Sequence, residues 1–171
     1  MKIGIIFFII LISAGLFIKA QNESIPLEIG QKAPGFTLVS DEKKSISLEE
    51  FKGQPVVIYF FPKSDTPGWT KQACGFRDIY NDYKEKNIVV IGISYDSPKS
   101  LLYFKQKYAL PFYLLSDSEK IVAKLYGANG LLVPKRITYL IDPDGLIQKV
   151  YNKINLNTHA EEIFNDITKK N

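Results

Sequence analysis

A single α/β domain with a central mixed sheet flanked by helices is the architecture this sequence predicts, and three observations predict it. Short apolar runs rich in β-branched and aromatic residues alternate with segments whose apolar residues recur every three or four positions. Late in the chain two strand-like runs flank Asp142-Pro143-Asp144-Gly145, a strong hairpin turn. No repeat, linker or low-complexity stretch divides the 171 residues, which are 46% apolar and 23% charged and so suit one domain with an ample core.

The elements follow in order. Residues 30–38 give a turn and a short strand, and residues 47–51 a capped single helical turn. Residues 56–61, Val-Val-Ile-Tyr-Phe-Phe, read as a buried strand. Residues 66–86 contain no proline after Pro67 and space Ala73, Phe76, Ile79, Tyr80 and Tyr83 as one face of an amphipathic helix. Residues 88–94 form an apolar run suited to a central strand, residues 98–108 a helix with Pro98 in its first turn, and residues 112–115 a short strand. A helix over 118–126 is stopped by Gly127, strands over 136–141 and 146–151 flank the hairpin turn, and a helix over about 158–169 closes the chain.

The amino terminus reads separately. Lys2 precedes an apolar or small run over residues 3–18, followed by Lys19-Ala20-Gln21-Asn22, the pattern of a secretory signal cleaved after Ala20. The run is shorter than the ~20 residues that span a bilayer. An uncleaved membrane anchor over residues 3–18 is the alternative, and with no cysteine near the cleavage point a lipoprotein is excluded. Residues 21–171 then form the domain, exported to a periplasmic or extracellular space. The net charge of +4 is spread along the chain without a Lys/Arg block that would bind nucleic acid. Within these residues the single cysteine, Cys74, has no partner for an intramolecular disulfide, so it is free, paired with another molecule, or modified.

The strand over 56–61 runs into Pro62-Lys63-Ser64-Asp65-Thr66-Pro67-Gly68-Trp69-Thr70-Lys71-Gln72-Ala73-Cys74-Gly75-Phe76-Arg77-Asp78. A strand ending at a helix N-terminus is a good place for an anion such as a thiolate, because the first amides lack intrahelical partners and the dipole is positive there. This segment resembles the active-site signature of the peroxiredoxins, in the bacterioferritin-comigratory (PrxQ-like) branch. Asp96-Ser97-Pro98, residues 110–117, Tyr126-Gly127 and residues 136–142 are similar to further landmarks of that family, over roughly residues 24–170. The resemblance implies a thioredoxin fold of the peroxiredoxin type. It also implies that Thr66 hydrogen-bonds the peroxide, that Pro62 shields the pocket and that Arg136 stabilises a thiolate. Trp69 then stands where the peroxide-attacking cysteine belongs, and Cys74 at the place of the resolving cysteine.

An indole carbon has no lone pair with which to attack an O–O bond, so Trp69 is no nucleophile. On a continuous helix positions 69 and 74 lie about 140° apart around the axis and ~7.5 Å along it, which turns Cys74 away from Thr66 and Arg136. Cys74 is read either as a small, partly buried side chain without a catalytic role or as an ordinary thiol open to mixed disulfides and slow peroxide attack. The resemblance implies that Gln72 stands where the family usually has a glutamate paired with the arginine, and Trp69 is read either as stacking on Arg136 or as capping an apolar surface. The lone histidine, His159, reads as a surface residue at the start of the last helix. No metal-ligand spacing, phosphate loop, nucleophile elbow, Cys-x-x-Cys pair or cofactor motif is present.

Two classes of function follow. One is a thiol peroxidase that reduces hydrogen peroxide or organic hydroperoxides with electrons from thioredoxin or a similar dithiol, an antioxidant oxidoreductase using Cys74. The other is a peroxiredoxin fold without its nucleophile, impaired in catalysis or serving in binding or structure. The residues favour the second.

Overall fold

A computed structural model describes residues 25–169. The expected signal or anchor over the first 20 residues lies outside them. Seven strands form one sheet in the order β2-β1-β5-β4-β3-β6-β7. They are β1 (Thr37–Ser40), β2 (Ser45–Ser47), β3 (Val56–Phe60), β4 (Val89–Ser94), β5 (Tyr113–Ser116), β6 (Thr138–Ile141) and β7 (Ile147–Tyr151). Only the β3–β4 and β4–β5 pairs are parallel; the other ladders are antiparallel, so the sheet is mixed as expected. The helices are α1 (Pro67–Asp78), α2 (Tyr80–Glu85), α3 (Pro98–Tyr108), α4 (Ile121–Leu125) and α5 (His159–Thr168), with a 3-10 turn at Leu48–Phe51.

The continuous apolar run of β3 is explained by burial on both faces. Val56, Ile58 and Phe60 enter one core with Phe36, Tyr126 and Tyr139. Val57, Tyr59 and Phe61 enter the other, with Ala73, Phe76 and Tyr83 from α1 and α2, Phe104 from α3 and Ile163 from α5. Helices therefore clamp β3 from the side on which its chain leaves for α1. The β3–α1 junction therefore leaves an inner strand of the sheet rather than an edge strand.

Four expectations need correction. The helix over 66–86 is two helices, broken at Ile79 (φ −115°, ψ 21°), while its expected apolar face is retained, with Ala73, Phe76 and Tyr83 buried. The helix over 118–126 begins only at Ile121, because Lys120 takes a left-handed conformation (φ 62°). The Asp117 carboxylate accepts from Val122 N at 3.2 Å and Ala123 N at 2.7 Å and so caps α4 from a distance. The strand over 136–141 starts at Thr138, which leaves Arg136 on the approach to the sheet. The sequence reading also omitted β2, three residues paired to β1 across a tight turn.

Candidate functional site

The chain leaves β3 at Phe60 and crosses residues 61–66 to reach α1, and the structure fixes this crossing from two sides. Asp96, just beyond β4, accepts from Ser64 N at 2.6 Å and Ser64 Oγ at 2.7 Å. Its own backbone is tied by Ser94 Oγ, which accepts from Asp96 N, and by Ser116 Oγ, which donates to Asp96 O. On the outer side Asp65 takes a left-handed conformation (φ 63°). Its carboxylate is held at 2.7 Å by Lys107 Nζ and at 2.5 Å by Tyr108 Oη, both from the last turn of α3. Those two cationic and phenolic donors hold the Asp65 carboxyl below the ordinary aspartate range. Arg77 on α1 donates to Tyr108 O at 3.0 Å, joining α1 to the same turn.

Thr66 occupies the N-cap of α1 and Pro67 its first position. The Thr66 hydroxyl caps no amide; it donates to Lys63 O at 3.1 Å. The amides of Gly68 and Trp69 precede the first intrahelical carbonyl they could reach, so the positive end of α1 opens on this crossing. Arg136 arrives from the approach to β6. Its Nη2 lies 3.3 Å from the place a Cβ on Gly68 would occupy, so the guanidinium packs close against the first turn where Gly68 carries no side chain. Partial burial lowers the Arg136 pKa. Thr66, Pro67, Gly68 and Arg136 are thus brought together at one helix end, with the half-buried Pro62 at the start of the crossing. The backbone of Trp69 belongs to the first turn of α1, while its side chain, and with it the stack on Arg136 or the apolar cap, lies outside the described residues.

Cys74 is a free, partly buried thiol on the same unbroken helix. Five residues of helix separate it from position 69, which gives the ~140° and ~7.5 Å offset of an ideal helix. Burial pushes its thiol pKa up; the Arg77 guanidinium lowers it and the Asp78 carboxylate raises it. Arg77 itself is committed to Asp78 at 2.7 Å. A raised pKa removes thiolate at neutral pH and is the opposite of what an attacking thiol needs.

Beneath α1 lies a polar layer that the sequence reading did not see. Gln72 is buried to 2% exposure, and neither its Oε1 nor its Nε2 finds a hydrogen-bond partner. His159, expected at the surface, is instead buried. The first turn of α5 packs on α1 and β6, so its ring meets Phe76 and Tyr151 edge-on at 6.1 and 5.3 Å. His159 Nε2 bonds Thr138 Oγ1 at 3.0 Å. Burial, reinforced by the Arg136 charge, pushes its pKa down to about 4. An aromatic neighbourhood signals nothing distinctive along a sequence, so neither His159 nor the Asp65 clamp could have been picked out there. Asp96 was visible only as part of Asp96-Ser97-Pro98. Among the described residues no group of three His, Cys, Asp or Glu could hold a metal ion.

Residues 29–150 match the model of the AhpC/TSA family. The chain is 46% identical over 148 residues to a Coxiella burnetii protein named for peroxiredoxin bcp, a match covering 80% of this chain and 96% of that one. It is 48% identical over 126 residues to the chloroplastic peroxiredoxin Q of Populus jackii, covering 72% of this chain and 59% of that one. Among solved structures it resembles peroxidoxin BcpB of Mycobacterium tuberculosis, with TM-score 0.80, 30% identity and coverage of 85% of this chain and 99% of the other. A cysteine-to-serine mutant of Xylella fastidiosa PrxQ matches with TM-score 0.80, 27% identity and coverage of 85% and 98%.

Proposed function

The chain belongs to the AhpC/TSA family, in its bcp/PrxQ branch of peroxiredoxins, and from this premise we propose that it is a member without a working peroxidatic nucleophile, impaired as a peroxidase or serving as a non-catalytic binding protein. One observation carries the reading. The first turn of α1, which follows Thr66 and which Arg136 approaches at Gly68, carries Trp69, whereas the one cysteine sits five positions further along the same helix with its thiol pKa raised. A positive helix end and a guanidinium lower a thiol's pKa only when the sulfur lies beside them. Gln72 supports the same reading. A carboxamide replaces the carboxylate that family members carry there, and it makes no hydrogen bond to Arg136 or to any other group.

In a peroxidase, thiolate sulfur bonds one peroxide oxygen, the O–O bond breaks, the second oxygen takes a proton and leaves as water or an alcohol, and a dithiol returns the sulfenate to thiolate, becoming a disulfide as water is lost. Cys74 is the only sulfur nucleophile in the sequence that could serve this peroxide chemistry with a thioredoxin-type reductant. It would act at the rate of an ordinary, partly shielded thiol. The sequence pattern of residues 1–20 further supports export with cleavage after Ala20, which N-terminal sequencing of the exported chain checks.

The test is peroxide consumption with excess dithiol by the native chain beside Trp69→Cys and Cys74→Ser. Turnover by Trp69→Cys alone supports the reading. Turnover by the native chain that Cys74→Ser abolishes overturns it and makes Cys74 the working nucleophile.

A further inference from the structure

Six exposed large apolar side chains outside the site lie on α4, in the segment after it or against its end. Leu131, Leu132 and Val133 follow one another with exposures of 89%, 81% and 40%. Three consecutive exposed apolar residues on a soluble face require a reason. The segment carrying them is built rather than loose. Lys120 Nζ donates to Leu131 O at 3.0 Å, Gly130 N to Tyr95 Oη at 3.4 Å and Lys135 N to Ala128 O at 2.7 Å. Ile121 and Leu125, one helical turn apart on α4, add exposures of 56% and 47%. Ile25, exposed at 81%, abuts the end of α4, since a Cβ on Gly127 would fall 2.2 Å from Ile25 O.

Two further observations select the occupant of this face. Over residues 118–135 the exposed charges are Lys120, Lys124 and Lys135 against Glu119, so the segment that carries most of the apolar side chains is net basic, with Glu28 the described acid nearest Ile25 in sequence. The chain also reaches the face from its most apolar stretch. Before cleavage after Ala20, residues 19–24 alone separate the run over 3–18 from Ile25, a sequence reach of at most about 25 Å that delivers the domain beside the membrane during export. Apolar side chains flanked by lysines, at the end of a short tether from a membrane-directed segment, match the boundary between acyl chains and anionic headgroups.

We propose that the face formed by Ile25, Ile121, Leu125 and Leu131–Val133 is a membrane-contact surface that seats the domain on an anionic lipid bilayer. Cleavage after Ala20 leaves the face whole, with Ile25 close to the new terminus. The proposal does not depend on whether Cys74 reacts with peroxide.

The test uses the chain from Gln21, which keeps every strand and both core layers, in co-sedimentation with vesicles of phosphatidylcholine plus phosphatidylglycerol and of phosphatidylcholine alone. The native chain is expected to bind the mixed vesicles more tightly than the neutral ones. Leu131→Ser with Leu132→Ser is expected to weaken binding about a hundredfold, and Lys124→Gln with Lys135→Gln about fivefold per lysine at low salt. Unchanged melting temperatures show that these exposed substitutions leave the fold intact. No binding to mixed vesicles, or binding indifferent to the leucine substitutions, overturns the proposal. So does a solution dimer that the leucine substitutions dissociate while vesicles are ignored, which would assign the face to a second copy.

Discussion

Replacing Trp69 by cysteine, in a Cys74→Ser background, puts one thiol into the first turn of α1 and asks whether the junction still activates it. Two effects favour the thiolate there. Arg136 Nη2 stands 3.3 Å from the Cβ position of the neighbouring Gly68. A unit-charge pair about 5 Å apart at an effective dielectric of ~20 is worth ~3 kcal/mol, which is ~2.4 pKa units at 1.36 kcal/mol each. The helix N-terminus adds roughly 0.5–1 kcal/mol. Partial burial opposes both, as it does at Arg136 itself, whose pKa it lowers. The expected outcome is a thiol that titrates near ~6, against ~8.5 for a free cysteine. Cys74 in the native chain is expected on the other side of that reference, since burial raises it. Iodoacetamide alkylation rates and thiolate absorbance followed against pH read both values directly. A Trp69→Cys thiol titrating at or above ~8.5 would refute the argument that the junction remains an activating site.

Three further outcomes are expected. Burial holds His159 neutral in the folded chain with a pKa of about 4 against 6.5 when unfolded, so the unfolded state binds more protons between those values. Stability is then fully present above pH 6.5 and falls by roughly 3 kcal/mol as pH drops toward 4; urea titrations should lose this slope in His159→Asn. Asp65→Ala frees Lys107 and Tyr108 from the crossing and removes its outer clamp. Amide hydrogen exchange should rise over residues 63–69, while exchange in β3 and β4 stays unchanged. Tyr83 Oη donates to Ala160 O at 2.6 Å in a buried contact between α2 and α5. Tyr83→Phe should cost about 1 kcal/mol in urea denaturation, and a change under ~0.3 kcal/mol would show that the bond contributes nothing.

The parts of this fold that could be read from the sequence are those where one signal dominates. Residues 56–61 and 88–93 are apolar without interruption because β3 and β4 are central and covered on both faces. Asp142-Pro143-Asp144-Gly145 closes the β6–β7 hairpin through Asp142 Oδ1, which accepts from Asp144 N at 3.0 Å and Leu146 N at 2.8 Å. Where two signals compete, the reading failed. Ile79 and Tyr80 continue the helical periodicity of α1, so nothing in the spacing marks the break at Ile79. Lys120 gives no warning of a positive φ, and the capping carboxylate of Asp117 acts from outside the helix it caps. At the site, the residues of the β3–α1 junction were legible because the motif is contiguous. The clamps from Asp96, Lys107 and Tyr108 were not, being contacts between residues more than thirty positions apart. The burial of His159 depends on how α5 docks on α1 and β6, a tertiary fact with no local signature.

On the proposed reading the chain keeps the peroxiredoxin scaffold without its nucleophile. Stopped-flow measurement of the second-order rate constant between the reduced native chain and hydrogen peroxide tests it most directly, with Cys74 oxidation followed by mass spectrometry. The rate constant is expected to be no greater than that of a small-molecule thiol with the same pKa. A rate constant orders of magnitude above that thiol, with Cys74 converted to its sulfenate in step with peroxide loss, would contradict it.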